Sequence, residues 1–100
     1  MAMIKVLQER LVAGKDYHRL MGLLLDLREG ALRQPGYVMS ETLFKGGDPI
    51  TVLVIATWFS REHWKAWENS EPRMTLNDMV LSLVLEEPTT SIYSMTLEDY

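Results

Sequence analysis

The sequence predicts an α+β fold of the ferredoxin-like βαββαβ type, a four-stranded antiparallel sheet with helices on one face. Three observations carry this. Four stretches are rich in β-branched and aromatic residues. Two helical stretches, beginning near residues 17 and 70, place apolar side chains three and four apart. The strongest turn signal, Gly46-Gly47-Asp48-Pro49, falls between the second and third strand stretches.

Ile4 to Val12 reads as the first strand, with Ile4, Val6, Leu7 and Leu11 as its apolar residues. Ala13-Gly14-Lys15 reads as a turn, and Asp16 as a helix cap or first residue. Tyr17, Leu20, Met21, Leu24, Leu27 and Ala31 then recur at helical spacing. Glu29 and Arg33, four apart, occupy the polar side in the favourable order. Gln34-Pro35-Gly36 stops the helix, because proline restricts the residue before it and glycine admits unusual dihedrals.

From Tyr37 to Lys45 the chain alternates, predicting Tyr37, Met39, Glu41 and Leu43 on one face. Thr51 to Phe59 is an almost unbroken β-prone run, as in a central strand covered on both faces. The two runs make a hairpin. Ser60 is an N-cap for a short helix carrying Trp64 and Trp67. Ser70-Glu71-Pro72 ends that helix and starts another, since proline is tolerated in a first turn. Leu76, Met79, Val80, Leu83 and Val84 form its apolar stripe. Glu86-Glu87-Pro88 ends it, and Thr89 to Leu97 is the last strand.

The 100 residues form one domain, 1–100, with 47% hydrophobic residues, seven Met and three Trp. A folded monomer of this mass exposes roughly 5,800 Å² by surface scaling, so its core is shallow. The apolar excess points to a second subunit or a ligand. Cysteine is absent and only two histidines occur. Thiol chemistry is thereby excluded, and an all-protein zinc site is not expected.

Net charge is −4, with three basic and eight acidic side chains in residues 51–100. No Lys/Arg cluster exists to bind nucleic acid or an anionic membrane. Polar residues interrupt the N-terminal segment, so no signal peptide or membrane span is predicted. The expectation is a cytoplasmic protein. Helices cover one face of the predicted sheet, and the central strand is apolar on both faces. A second copy laid on the open face would make a homodimer.

A family resemblance rests on Thr57-Trp58-Phe59-Ser60 and the segment Glu62-His63-Trp64-Lys65-Ala66-Trp67-Glu68-Asn69-Ser70. Gln34-Pro35-Gly36-Tyr37 and Glu41-Thr42-Leu43 add to it. Together these resemble the antibiotic biosynthesis monooxygenase superfamily of dimeric α/β-barrel proteins, over roughly Met3 to Met95. The resemblance implies homodimers with a pocket in each subunit between helices and sheet. Some members oxidise electron-rich aromatic polyketides or quinols with dioxygen, without flavin or metal; others degrade haem. The haem-degrading branch uses a first-strand Asn, the second Trp of the W-x-x-W segment and a His about ten residues later. Only Trp67 matches, since Glu9 and Asn77 stand at the other two positions. Losing the imidazole removes the expected axial ligand, and neither His18 nor His63 stands at the ligand position, so haem degradation ranks below the other readings.

Within that frame Trp67 is the expected pocket residue, its indole stacking on a flat aromatic and donating one hydrogen bond. Its alternative is plain packing under the sheet. Asn77 borders the apolar stripe and both donates and accepts, so it suits a substrate oxygen or a held water. Its alternative is a solvated edge. Glu9 and Glu41 lie on faces otherwise apolar, where a carboxylate with raised pKa serves as a general base. Pairing with Arg10, Lys5 or a partner's arginine is the alternative for both. Arg73 suits an anionic substrate or an enolate, or simply the surface. Met21, Met39, Met74 and Met79 offer adaptable cavity lining or ordinary core filling.

The expected function is therefore a monooxygenase that uses no cofactor and acts on a small electron-rich aromatic or quinol. Glu9 and Asn77 are its catalytic candidates; Trp67, Arg73 and Met74 are its substrate-binding candidates. No HExxH motif or Gly-rich phosphate loop is present, and no metal or cofactor site is predicted. The competing reading is a dimeric binding protein using the same cavity for a small aromatic ligand without turnover.

Overall fold

The computed structural model describes residues 2–97. Strand β1 (Ile4–Val12) leads through a 3-10 turn (Gly14–Asp16) into helix α1 (Tyr17–Leu32). Strands β2 (Tyr37–Lys45) and β3 (Ile50–Trp58) form the hairpin. Helices α2 (Arg61–Glu68) and α3 (Glu71–Leu81) precede strand β4 (Thr89–Ser94). The sheet order is β2-β3-β1-β4, antiparallel at every pair. This is the predicted α+β, ferredoxin-like arrangement, with β1 and β3 central. Among the described residues no helix is long and apolar enough to cross a membrane.

Register assigns the two sheet faces. Ile4, Val6, Gln8, Arg10 and Val12 of β1 lie opposite Trp58, Ala56, Val54, Val52 and Ile50 of β3. Directly paired residues share a face, so these form the helix-covered side. The open side carries Leu7, Glu9 and Leu11, paired with Ile55, Leu53 and Thr51. Glu41 and Leu43 of β2 extend it, and Met39 and Leu43 remain about half exposed.

The helix-covered core divides in two. One cluster contains Val12, Leu20, Leu24, Val52, Val80 and Leu83. The other contains Ile4, Val6, Ala31, Trp58 and Trp67. The division follows β1, whose inward positions read Ile4, Val6, then Gln8, Arg10, then Val12. Two inward polar side chains separate the apolar ends of one strand.

Local chemistry explains most boundaries. Ser60 caps α2, its Oγ accepting from the His63 N–H at 3.2 Å and contacting His63 Nδ1 at 2.7 Å. Gly36 has φ +85°, and a Cβ there would collide with the His63 ring, so glycine is required twice over. Ser70 stands at the N-cap of α3, but its hydroxyl donates to the Trp67 carbonyl at 2.7 Å instead. It thereby ties the end of α2 to the start of α3.

Three local expectations differ. A register shift between Tyr37 and Met39 inserts a bulge, so Tyr37 joins Trp58 while Met39 faces outward. The last helix ends at Leu81, and Val84 makes a bridge to Val12 in place of a further turn. Strand β4 stops at Ser94 because its partner strand begins at Ile4.

Candidate functional site

A cavity of about 120 Å³ lies between α1 and the sheet, where the two core clusters part. That is close to the roughly 150 Å³ apolar cavity that holds a benzene ring in an engineered protein. All three indoles line it: Trp58 from β3, Trp64 and Trp67 from α2. Val6, Val54, Ala56 and Ala31 add apolar wall. Leu25 and Arg28 of α1 line it as well, and both are exposed, so they stand at its mouth.

Trp67 reaches the cavity because α1 lets it approach. The nearest heavy atom to a Cβ built on Gly30 would be Trp67 Cη2, at 2.6 Å. Glycine at this helix position is thus what admits the indole, which is buried. Trp58 is fixed edge-on by Tyr37, with ring centroids 5.4 Å apart. The Tyr37 hydroxyl donates to Ser40 Oγ at 2.7 Å, and Ser40 itself lines the cavity.

The polar end holds Gln8, Arg10, Glu68 and Arg73. Arg10 is only 3% exposed. Its NH2 group donates to Gln8 Oε1 over a long 3.4 Å, and its Nε has no partner among the described residues. Burial, and then the neighbouring Arg73 cation, lower its pKa to about 10; Glu68 opposes the change. Glu68 and Arg73 form an ion pair at 3.0 Å. Burial raises the Glu68 pKa, while Arg73 and then Arg10 pull it down. A half-buried carboxylate held back from ionisation in this way is suited to accept a proton. Among the described residues no three His, Asp or Glu side chains converge as a metal site does.

The sequence-predicted residues divide. Trp67 and Arg73 line the cavity together. Glu9 does not: strand alternation puts it on the open face, exposed, while Gln8 and Arg10 point inward. Asn77 is half-buried one turn beyond Arg73 but outside the cavity wall. Met74 is exposed, because it lies about 100° around α3 from Arg73. Of the four methionines expected at a cavity, Met21 alone lines it. Met39 belongs to the open sheet face, and Met79 is exposed on α3.

Arg10 and Glu68 are the residues the sequence reading missed, and both left a signal. Arg10 has the same strand parity as Val6 and Val12, so a buried face had to accept it. Glu68 is four residues beyond Trp64, and so shares the helix face of the tryptophans.

No family model matches the sequence, and no curated relative matches it. Solved structures do match the fold. A conserved protein from Methanosarcina mazei Go1 superposes with a TM-score of 0.85 at 17% identity, over 93% of this chain and 92% of that one. A variant of SnoaB, a cofactor-independent oxygenase from Streptomyces nogalater, gives 0.84 at 14% identity, over 97% and 98%. An antibiotic biosynthesis monooxygenase gives 0.82 at 15% identity, over 93% and 98%. The protein thus carries the fold of the antibiotic biosynthesis monooxygenases.

Proposed function

We propose that the protein is a monooxygenase that oxidises a small electron-rich phenol or quinol with dioxygen and no cofactor. The observation that carries this is the Glu68 carboxylate, its pKa raised by burial, beside three indoles in a ring-sized cavity. The likeness to SnoaB, a cofactor-independent oxygenase, supports the same reading.

In this mechanism the ring stacks on Trp67 and Glu68 takes the proton of a ring hydroxyl. Arg73 and Arg10 stabilise the oxyanion that forms. The electron-rich anion passes one electron to dioxygen. The resulting radical pair combines at the ring carbon para to the oxygen and, once protonated, gives a hydroperoxide. Loss of the remaining proton on that carbon breaks the O–O bond, releases water and leaves a carbonyl. One phenol and one dioxygen become one quinone and one water, all four electrons coming from the substrate. The protein forms a homodimer through the open sheet face, where Leu7, Leu11, Leu43, Leu53 and Ile55 would meet a second copy.

The test is turnover of 2,6-dimethylphenol under ¹⁸O-labelled dioxygen. One labelled oxygen in the quinone per dioxygen consumed is expected, lost in Glu68→Gln. Binding without label incorporation would leave the cavity a ligand site and overturn the catalytic reading.

A further inference from the structure

The polar end of the cavity is short of an acceptor. Arg10 is 3% exposed, its one side-chain hydrogen bond among the described residues is long, and its Nε has none. The one carboxylate that lines the cavity, Glu68, is engaged by Arg73. Arg10, Arg28 and Arg73 line the cavity against Glu68 alone, in a chain whose net charge is −4. Positive charge is therefore concentrated where the rest of the molecule would not supply it. A buried guanidinium without a full set of acceptors is costly to keep. Sites that break the rules of stability in this way are where function is expected.

We propose that the cavity takes a single-ring aromatic carboxylate, with the carboxylate on the Arg10 guanidinium and the ring against Trp67. This rests on the reading of the cavity as the substrate site, and narrows the substrate to a hydroxylated arene acid. The planar guanidinium fork matches a carboxylate's two oxygens, a geometry a point cation lacks. Inside the cavity Arg10 and Arg73 against Glu68 leave one positive charge, with Arg28 exposed at the mouth, which suits a monoanion. A phosphate would find indole and aliphatic walls around its other oxygens. Size fits one ring. Arg28, exposed at the mouth, meets the anion first and draws it inward.

The experiment titrates the 100-residue protein with benzoate and with benzamide, its neutral isostere, following tryptophan fluorescence, since all three tryptophans line the cavity. Benzoate is expected to bind at least about tenfold more tightly than benzamide, as a charge-assisted hydrogen bond supplies. Arg10→Gln erases that preference. Glu68→Gln, which removes the competing carboxylate, tightens benzoate severalfold relative to benzamide. A thermal melt of each variant establishes folding, and if Arg10→Gln fails to fold, Glu68→Gln still decides. Equal binding of the two probes overturns the proposal, as does discrimination that survives in folded Arg10→Gln. Oxidation of 2,6-dimethylphenol with no benzoate preference would overturn the carboxylate alone and leave the monooxygenase standing. Benzoate preference without oxidation of 3-hydroxybenzoate, whose carbon para to the hydroxyl carries a hydrogen, would do the reverse.

Discussion

Across the junction between α2 and α3, the Glu68 carboxylate meets the Arg73 guanidinium at 3.0 Å, at the edge of a cavity that also buries Arg10. Burial raises the Glu68 pKa and the two arginines oppose it. In the proposed reaction Glu68 works only as the anion. Oxygen uptake should therefore rise with pH through an apparent pKa above that of an ordinary glutamate. Arg73→Gln removes the larger opposing cation, and should move the limb to higher pH. A limb that stays in place in Arg73→Gln would remove Glu68 from the role of base. The native state is also the tighter proton binder at this group. Its contribution to stability is thus fullest below the unfolded glutamate pKa and declines as pH rises through the native value.

Arg10 should stabilise binding at the expense of folding. Its native pKa, about 10, lies below the value of a solvated guanidinium. Between those values the unfolded chain binds more protons, so stability rises with pH there; below about pH 10 the full penalty is present. Arg10→Met fills the same space without the charge. It should gain about 1 kcal/mol at neutral pH, by analogy with buried ions replaced by apolar groups. For a domain of this size that raises Tm by about 4–8 °C. A lower Tm by calorimetry would mean that Arg10 is better paired in solution than its single long hydrogen bond indicates.

The fold was legible because its cues agree. The Gly46–Pro49 turn, the helical stripe from Tyr17 to Ala31 and the Ser60 cap each specify one element, and no tertiary contact overrides them. The bulge between Tyr37 and Met39 was not legible, since a strict alternation cannot register one inserted residue. The cavity wall was legible where size and chemistry coincide, at Trp67 and Arg73. Arg10 was overlooked as part of that wall, and Glu9, its neighbour on the strand, lies on the other face. An apolar setting marks both faces of β1, and the pattern alone does not say which face the helices cover. Register with β3 resolves it, and register is a property of two strands.

Gly30 should prove a packing determinant of the cavity. A Cβ at this position would lie 2.6 Å from Trp67 Cη2, so alanine must displace the indole. The better helix propensity of alanine offers up to about 1 kcal/mol. Overpacking a rigid ring costs about 1–3 kcal/mol, and so prevails. Gly30→Ala should lower Tm and shift tryptophan emission. Gly22, on the same helix, has nothing within 4 Å of its Cβ position and is exposed. Gly22→Ala should therefore gain about 0.5–1 kcal/mol with unchanged emission. Equal effects of the two substitutions would show that helix propensity governs both and that Trp67 does not depend on Gly30.

The open sheet face should carry the dimer. Leu43 and Leu53 lie directly opposite one another there, and Glu9 pairs with Leu53 from the other side. In a monomer these leucines would meet water; in a face-to-face dimer each would lose it, at roughly 25 cal/mol per Å² of apolar surface. Leu43→Glu, at a position 49% exposed in the single chain, adds a charge that the isolated fold tolerates and a buried interface does not. Sedimentation at micromolar concentration should give the wild type twice the 11.5 kDa chain mass and the variant the single mass. The variant should keep a cooperative melt, since Leu43 lies outside both core clusters. A wild type that sediments at 11.5 kDa would show that this face stays open, and would remove the dimer from the proposed assembly.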